Sequence, residues 1–283
     1  MRFVSWKKNG ATGLALRRGS ELVNLEGMDL LGIIKAGQKG LDQAVLASHH
    51  GSVLSTEGLE YLPPIANPGK IFCVGMNYQD HADENKLDKQ DHPTFFIRLA
   101  SSLIGHEQPL IRPRVSEQLD YEGELAAIIG KPGRHIPVAR ALEHVAGYAV
   151  FNEASIRDYQ IGRGKQWTLG KNFDGTGAFG PEFVTADEIP PGAKGLHLET
   201  RLNGKVMQSA NTSDLIFDIA TLVSRLSEAV RLETGDVIVT GTPAGIGLFR
   251  KPQVWMKPGD ICEVEIEGVG LLRNPVQDEI KVN

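Results

Sequence analysis

Several features that define large classes of proteins are scarce or missing in this sequence. Its 283 residues include two cysteines, Cys73 and Cys262, which lie far apart and match no zinc-binding or redox spacing. No stretch approaches the roughly 18 apolar residues that a membrane-spanning helix needs, and no apolar run follows the basic N-terminal residues as in a signal peptide. We therefore expect buried, reduced thiols and a cytoplasmic protein that has no membrane partner.

Clusters of basic residues are also missing, and the net charge at pH 7 is -5. Because binding to a nucleic acid backbone needs positive patches, we expect a small-molecule partner and no nucleic acid. Apolar residues at 41% and charged residues at 23% exclude a disordered, collagen-like or coiled-coil chain. Glycine is abundant, with 32 residues, which favours a β-rich fold with many tight turns.

Short strand patterns dominate the chain. Residues 1–24 predict a β-unit that turns at Asn9-Gly10, and a second hairpin turns at Asn203-Gly204. Further strands are predicted over residues 70–74, 94–97, 122–129, 148–151, 196–202, 236–239 and 261–266. The helix predictions are 30–36, 41–49 and a long amphipathic helix over 213–230.

The order of these elements predicts the fold class. Strands do not alternate regularly with helices, which indicates an α+β fold rather than a doubly wound α/β fold. A proline-rich segment over residues 62–69 predicts a boundary between a small N-terminal domain, 1–64, and a larger domain, 65–283. The GTGAFG segment over 175–180 matches a dinucleotide fingerprint, but Pro181 and a strand-like stretch follow it where a helix is required. We therefore expect no nucleotide site there.

Two glutamates, Glu122 and Glu124, stand on either side of Gly123 where an apolar strand begins. The period of two places them on one face, roughly 7 Å apart along the strand. Adjacent like charges on a half-buried strand are unfavourable unless a cation lies between them, and a hard divalent ion is the usual solution. A solvated edge strand explains the same segment equally well.

A second polar segment, FNEASIRDYQ over residues 151–160, ends a strand and continues as a helical turn. There Glu153, Arg157 and Gln160 share one face at i, i+4 and i+7. They could line a binding site. Alternatively, Glu153 and Arg157 form an exposed ion pair worth a few tenths of a kcal/mol.

Further candidates occur near the ends of strands. His81 and Glu84 are spaced i, i+3, so the carboxylate can orient the imidazole as a base that activates water. A surface histidine beside an acid is the alternative. Lys171 lies in a glycine-rich loop, and Thr242 lies in the turn TGTPAG over 240–245. Such turns can bind an anion, or they can be plain connections.

Taken in order, the motifs GMNYxxHxxE, DYEGELA, FNEASxRDYQ, LGKNFD and VTGTPAGIG resemble those of the fumarylacetoacetate hydrolase family. The resemblance runs from about residue 70 to residue 275 and includes KPGD at 257–260. It implies a catalytic domain built as a mixed β-sheet roll, with a variable small N-terminal domain. It also implies a homodimer, with Mg²⁺, Mn²⁺ or Ca²⁺ held by three carboxylates.

Carried over by motif, the resemblance assigns a role to each candidate. The implied metal ligands are Glu122, Glu124 and Glu153, although the commonest family pattern has Asp at the last position. The implied catalytic residues are His81, Glu84 and Lys171, and the implied substrate contacts are Arg157, Gln160 and Thr242.

Three functions fit these assignments. The first is hydrolysis of a C–C bond in a 2,4-diketo acid of the acylpyruvate type, with water activated by the His81–Glu84 pair and the pyruvate enolate stabilised by the metal. The second is decarboxylation or isomerisation of a 2-oxo diacid, which needs enolate stabilisation but no attack by water. The third is a non-catalytic metal-binding scaffold.

Overall fold

The computed structural model describes residues 1–80, 91–164 and 166–280. The strands of these residues, in chain order, are β1 (Arg2–Lys8), β2 (Ala11–Arg18), β3 (Glu21–Asn24), β4 (Glu60–Tyr61), β5 (Ile71–Gly75), β6 (Thr94–Arg98), β7 (Leu103–Ile104), β8 (Leu110–Arg112), β9 (Leu119–Asp120), β10 (Gly123–Ile129), β11 (Val145–Glu153), β12 (Ser155–Ile156), β13 (Gly177–Thr185), β14 (His197–Leu202), β15 (Lys205–Asn211), β16 (Val237–Val239), β17 (Ile261–Ile266) and β18 (Gly270–Asp278). The α-helices are α1 (Leu30–Ala36), α2 (Gln38–Ser48), α3 (Arg157–Gln160), α4 (Thr168–Lys171) and α5 (Ile219–Ala229).

Within the described residues, an eleven-stranded sheet and a five-stranded sheet form the body of the molecule. The main path of the large sheet is β3-β2-β1-β13-β11-β10-β16-β5-β6, and the smaller sheet runs β15-β14-β17-β18-β8. Most pairings are antiparallel, but β16 pairs with β5 in parallel. The predicted α+β class is confirmed.

Strand β10 lies in the middle of the large sheet and is buried on both faces. Leu125 and Ala127 pack into one hydrophobic cluster, and Ala126 and Ile128 pack into another. This double burial explains why the strand is wholly apolar after Glu124. The N-terminal end of β10, which precedes this buried apolar run, is therefore where charged side chains of the strand can line a cavity.

The N-terminal strands match the prediction, with Asn9 and Gly10 at positive φ in the first turn. Strand β1 hydrogen-bonds to β13, so residues 2–24 extend the large sheet. The division at residue 64 stays a prediction. Cys73 and Cys262 are buried and unbridged, as expected. None of the described helices is both long and apolar enough to cross a membrane.

The helix predicted over 213–230 begins later than expected. Asp218 ends the preceding segment, and its side chain accepts a hydrogen bond from the Thr221 N–H at 2.9 Å. This N-cap starts α5 at Ile219, and residues 212–214 form a separate 3₁₀ turn. The GTGAFG segment leads into β13 with no helix after it, as predicted.

Candidate active site

Three glutamates meet where β10 begins and β11 ends. The antiparallel register pairs Gly123 with Asn152, and the Glu153 N–H donates to the Glu122 carbonyl at 2.8 Å. Glu122, Glu124 and Glu153 are all buried, and one carboxylate oxygen from each lies within 4.8 Å of the others. The prediction that Glu122 and Glu124 share one face is confirmed, and the solvated edge strand is excluded.

Gly123 lets the smaller sheet approach this point closely. A Cβ atom there would lie 2.1 Å from Thr200 Oγ1 and 3.0 Å from Val264 Cγ1. These residues belong to β14 and β17, which pack against β10. Glycine is thus required between the two glutamates because any side chain would push the two sheets apart.

Arg157 is held by buried partners rather than exposed on a helical face. Its Nε lies 2.8 Å from Asp120 Oδ2, its Nη2 lies 2.7 Å from Glu122 Oε1, and its Nη1 donates to Gln160 Oε1 at 2.7 Å. The expectation that Glu153 shares a helix with Arg157 is wrong, because Glu153 ends β11 and the helix starts at Arg157. The exposed ion pair is likewise excluded, since both side chains are buried.

Lys171 is the second buried cation at the site. Its Nζ donates to Glu122 Oε2 and to Glu153 Oε2, the latter at 3.0 Å. Burial alone would lower the pKa of Lys171, but Glu122 and Glu153 outweigh it, so the pKa lies above its ordinary value. Gly170 allows this placement, because a Cβ there would lie 2.4 Å from the Gln160 backbone nitrogen.

The turn after β16 forms another wall. The Gly241 N–H donates to Glu124 Oε2, and the Thr242 hydroxyl donates to the Gly123 carbonyl at 3.0 Å. Gln208 joins this turn to β10: its Oε1 accepts the Gly123 N–H at 3.0 Å, and its Nε2 donates to Thr242 Oγ1 at 2.7 Å. The turn is therefore fixed directly against the glutamate pair.

These groups line one cavity of about 290 Å³. Seven predicted site residues line it, namely Glu122, Glu124, Glu153, Arg157, Gln160, Lys171 and Thr242. The rest of the lining is mostly apolar and includes Phe96, Trp167 and Phe249. The remaining two candidates, His81 and Glu84, lie outside the described residues. A larger groove of about 960 Å³ beside α1 and α2 contains none of the predicted residues.

The carboxylate cluster fits a divalent cation. Burial raises the pKa of Glu124 well above its usual range, and the charges of Glu153 and Glu122 raise it further. A further positive charge close to Glu124 would thus favour its ionised form. Three carboxylate oxygens are the donor type that hard ions such as Mg²⁺, Mn²⁺ and Ca²⁺ prefer, so the cluster could hold such an ion.

Several residues that build the site are not among those predicted from the sequence. Asp120 holds Arg157, Gln208 holds the turn, and Arg98 lies 3.5 Å from Glu153 Oε1 through its Nε. Asn152 supports β10 by accepting the Glu122 N–H at 3.0 Å. Asp120 and Asn152 stand beside the recognised glutamates, which was a usable signal. Arg98 and Gln208 sit in ordinary strands that carry no such signal.

Comparison with known proteins agrees with the fold. The family model described as Fumarylacetoacetate (FAA) hydrolase C-terminal matches residues 70–277. The mitochondrial oxaloacetate tautomerase fahd2 of Xenopus laevis is 38% identical over 98% of this chain and 90% of its own length. The chain belongs to the fumarylacetoacetate hydrolase family and is an enzyme of that family.

Solved structures show the same relationship. Fumarylacetoacetate hydrolase from psychrophilic Exiguobacterium antarcticum is 35% identical, with a TM-score of 0.86 over 99% of this chain and all of that chain. Maleylpyruvate hydrolase from Sphingobium sp. SYK-6, in complex with manganese (II) ion and pyruvate, is 26% identical, with a TM-score of 0.82 and the same coverage. The predicted family is confirmed, whereas the homodimer, the cytoplasmic location and the choice of Mg²⁺ stay predictions.

Proposed function

We propose that this enzyme uses a divalent metal ion to interconvert the keto and enol forms of a 2-oxo dicarboxylic acid such as oxaloacetate. The observation that carries the proposal is the single cavity that joins three buried glutamates to two buried cations, Arg157 and Lys171. Enolisation of a 2-oxo acid needs both a means of stabilising negative charge on oxygen and a proton donor beside it. The names of the tautomerase relatives support this choice.

The residues divide the work by their positions. Arg157 and Gln160 bind the substrate carboxylate; because Gln160 Oε1 accepts from Arg157, the Gln160 amide nitrogen can donate to the substrate. Protonated Lys171 Nζ lies on the cavity wall and can give a proton to the carbonyl oxygen as the enol forms. A divalent ion held by Glu122, Glu124 and Glu153 would supply Lewis-acid stabilisation of the developing charge.

The carbon-bound proton needs a base. His81, oriented by Glu84, is the sequence-predicted base and could remove the proton from the carbon beside the ketone. The same pair would serve the competing hydrolase function by activating water. Because both reactions can use this base, the two functions are distinguished by which substrate the enzyme converts.

The test follows the ultraviolet absorbance of enol-oxaloacetate as it converts to the keto form, with Mg²⁺ and with EDTA. Lys171→Met should lower the metal-dependent rate by about 10² or more, the usual cost of a lost electrostatic contact to the reacting oxygen. Lys70→Met is the matched control, because Lys70 pairs with Asp236 at 2.8 Å and does not line the cavity. A full rate in EDTA, or in Lys171→Met, contradicts the proposal.

Hydrolysis of a 2,4-diketo acid is the second candidate, supported by the likeness to maleylpyruvate hydrolase. An acylpyruvate panel assayed for pyruvate release tests it on the same preparation. Pyruvate formed from oxaloacetate would reveal decarboxylation instead. Acylpyruvate cleavage with a kcat/KM above that for tautomerisation would replace the first candidate with the second.

A further inference from the structure

The groove of about 960 Å³ beside α1 and α2 lies at the opposite ends of β10 and β11 from the active-site cavity. Strand β10 begins at the glutamate cluster and ends next to Gly130, which lines the groove. Strand β11 runs the other way, from Val145 in the groove to Glu153 in the cluster. At about 3.3 Å per residue, the seven residues of β10 separate the two cavities by roughly 20 Å. A molecule bound in the groove would therefore not take the place of the substrate.

The floor of the groove is apolar. Ile33 and Ile34 of α1 and Leu41 of α2 line it from the helical side. Val145 and Phe183 line it from the ends of β11 and β13. A mostly apolar lining with a few polar groups, in a volume of roughly 300–1,000 Å³, is typical of sites that bind small molecules. The groove therefore has the size and the lining of a ligand site.

The charged groups of the groove are two carboxylates and two ammonium groups, from Glu143, Glu233, Lys35 and Lys131. Both carboxylates are already paired. Arg140 Nη2 lies 2.9 Å from Glu143 Oε2, and Arg231 Nε lies 2.9 Å from Glu233 Oε1. Within the described part of the chain, neither lysine forms an ion pair. The charge that is left to attract a ligand is therefore positive.

We propose that this groove binds an amphipathic anion, a molecule with a hydrocarbon body and one carboxylate, such as a medium-chain fatty acid. The hydrocarbon body would lie on the apolar floor, where it is removed from water. The carboxylate would lie beside Lys35 and Lys131, whose flexible four-carbon stems let both ammonium groups turn towards one anion. This second site is separate from the proposed tautomerase function and does not depend on it.

The test is isothermal titration calorimetry of the full chain with decanoate in the presence of EDTA, which keeps metal ions out of the carboxylate cluster. We expect one decanoate per chain, bound at least about tenfold more tightly than hexanoate because each buried methylene group adds to the affinity. Decyltrimethylammonium carries a similar hydrocarbon body with the opposite charge and should bind at least about tenfold more weakly than decanoate. Since the protein has a net charge of -5, its overall charge cannot cause such a preference. Absent decanoate binding, or equal binding of the two amphiphiles, overturns the proposal.

Variants locate the site. The double variant Lys35→Glu with Lys131→Glu should lower decanoate affinity by about tenfold or more, because it reverses both charges beside the carboxylate. The matched control, Lys39→Glu with Lys205→Glu, changes the net charge equally but lies outside the groove. All four lysines are exposed, so both variants should fold. An equal effect of the two variants overturns the proposal. So does a groove covered by a second copy of this chain, in which case decanoate does not bind and Leu41→Asp dissociates the dimer in analytical ultracentrifugation.

Discussion

The two sides of the cavity are built in different ways. The sheet side consists of Glu122, Glu124 and Glu153, which are placed by the regular backbone ladder of β10 and β11. The turn side consists of Arg157, Gln160, Lys171 and Thr242, carried by the four-residue helices α3 and α4 and by a turn. Helices this short have little stability of their own. The turn side therefore depends mainly on side-chain bonds from distant parts of the chain, whereas the sheet side also has a backbone ladder between β10 and β11.

The largest effect should come from the sheet side. Glu124→Gln retains an oxygen that can accept the Gly241 N–H, but it then presents an NH₂ group to the ion in place of an oxygen. We expect Mg²⁺ affinity to fall by at least about a hundredfold, because even residues that only orient a metal ligand cost 10- to 100-fold when they are lost. Mn²⁺ titration measures it. Glu199→Gln on the smaller sheet is the control, and retained affinity would remove Glu124 from the ligand set.

The predicted base, His81, lies outside the described residues. His81→Ala should lower turnover by about 10², the usual range for a general base, while Mg²⁺ affinity changes less than about threefold. Rate measurements at saturating Mg²⁺ and a separate metal titration distinguish the two effects. Loss of the metal with an unchanged rate per bound ion would make His81 a ligand instead.

The difference between the sides also explains what could be predicted from sequence. The period of two is a local property, so it placed Glu122 and Glu124 correctly on one face. The helical spacing predicted Glu153 on the same helical face as Arg157, which is wrong. Strand β12 lies between these two residues and pairs with β9, so α3 begins only at Arg157. That pairing joins segments about 35 residues apart and leaves no local pattern. The contact between Arg98 and Glu153 likewise joins residues that are far apart in the chain, so no local sequence pattern predicts it.

A smaller effect should come from the anchor of the turn side. Asp120 accepts hydrogen bonds from Arg157 Nε at 2.8 Å and from the Gly247 and Leu248 N–H groups at 2.7 and 3.0 Å. Asp120→Asn turns one acceptor oxygen into an NH₂ group, so at least one of these bonds is lost. We expect KM to rise about tenfold, the value of one charge-assisted bond, with Mg²⁺ affinity nearly unchanged. Asp260→Asn, in a surface turn, is the control, and an equal loss of Mg²⁺ affinity would show that the sides are not separable.

The smallest effect should come from the residue that joins the two sides. Gln208 accepts the Gly123 N–H on the sheet side and donates to Thr242 Oγ1 and the Pro243 carbonyl on the turn side. Gln208→Leu keeps a similar volume but leaves buried polar groups unpaired, which costs about 1–3 kcal/mol each in the free energy of unfolding. We expect turnover to fall only about threefold, because Glu124 still holds the turn through Gly241. Thermal unfolding measures the loss of stability, and rate assays measure the loss of turnover. The exposed residue Gln38 provides the control variant, Gln38→Leu. A hundredfold loss of turnover in Gln208→Leu would mean that Gln208, rather than Glu124, positions the turn.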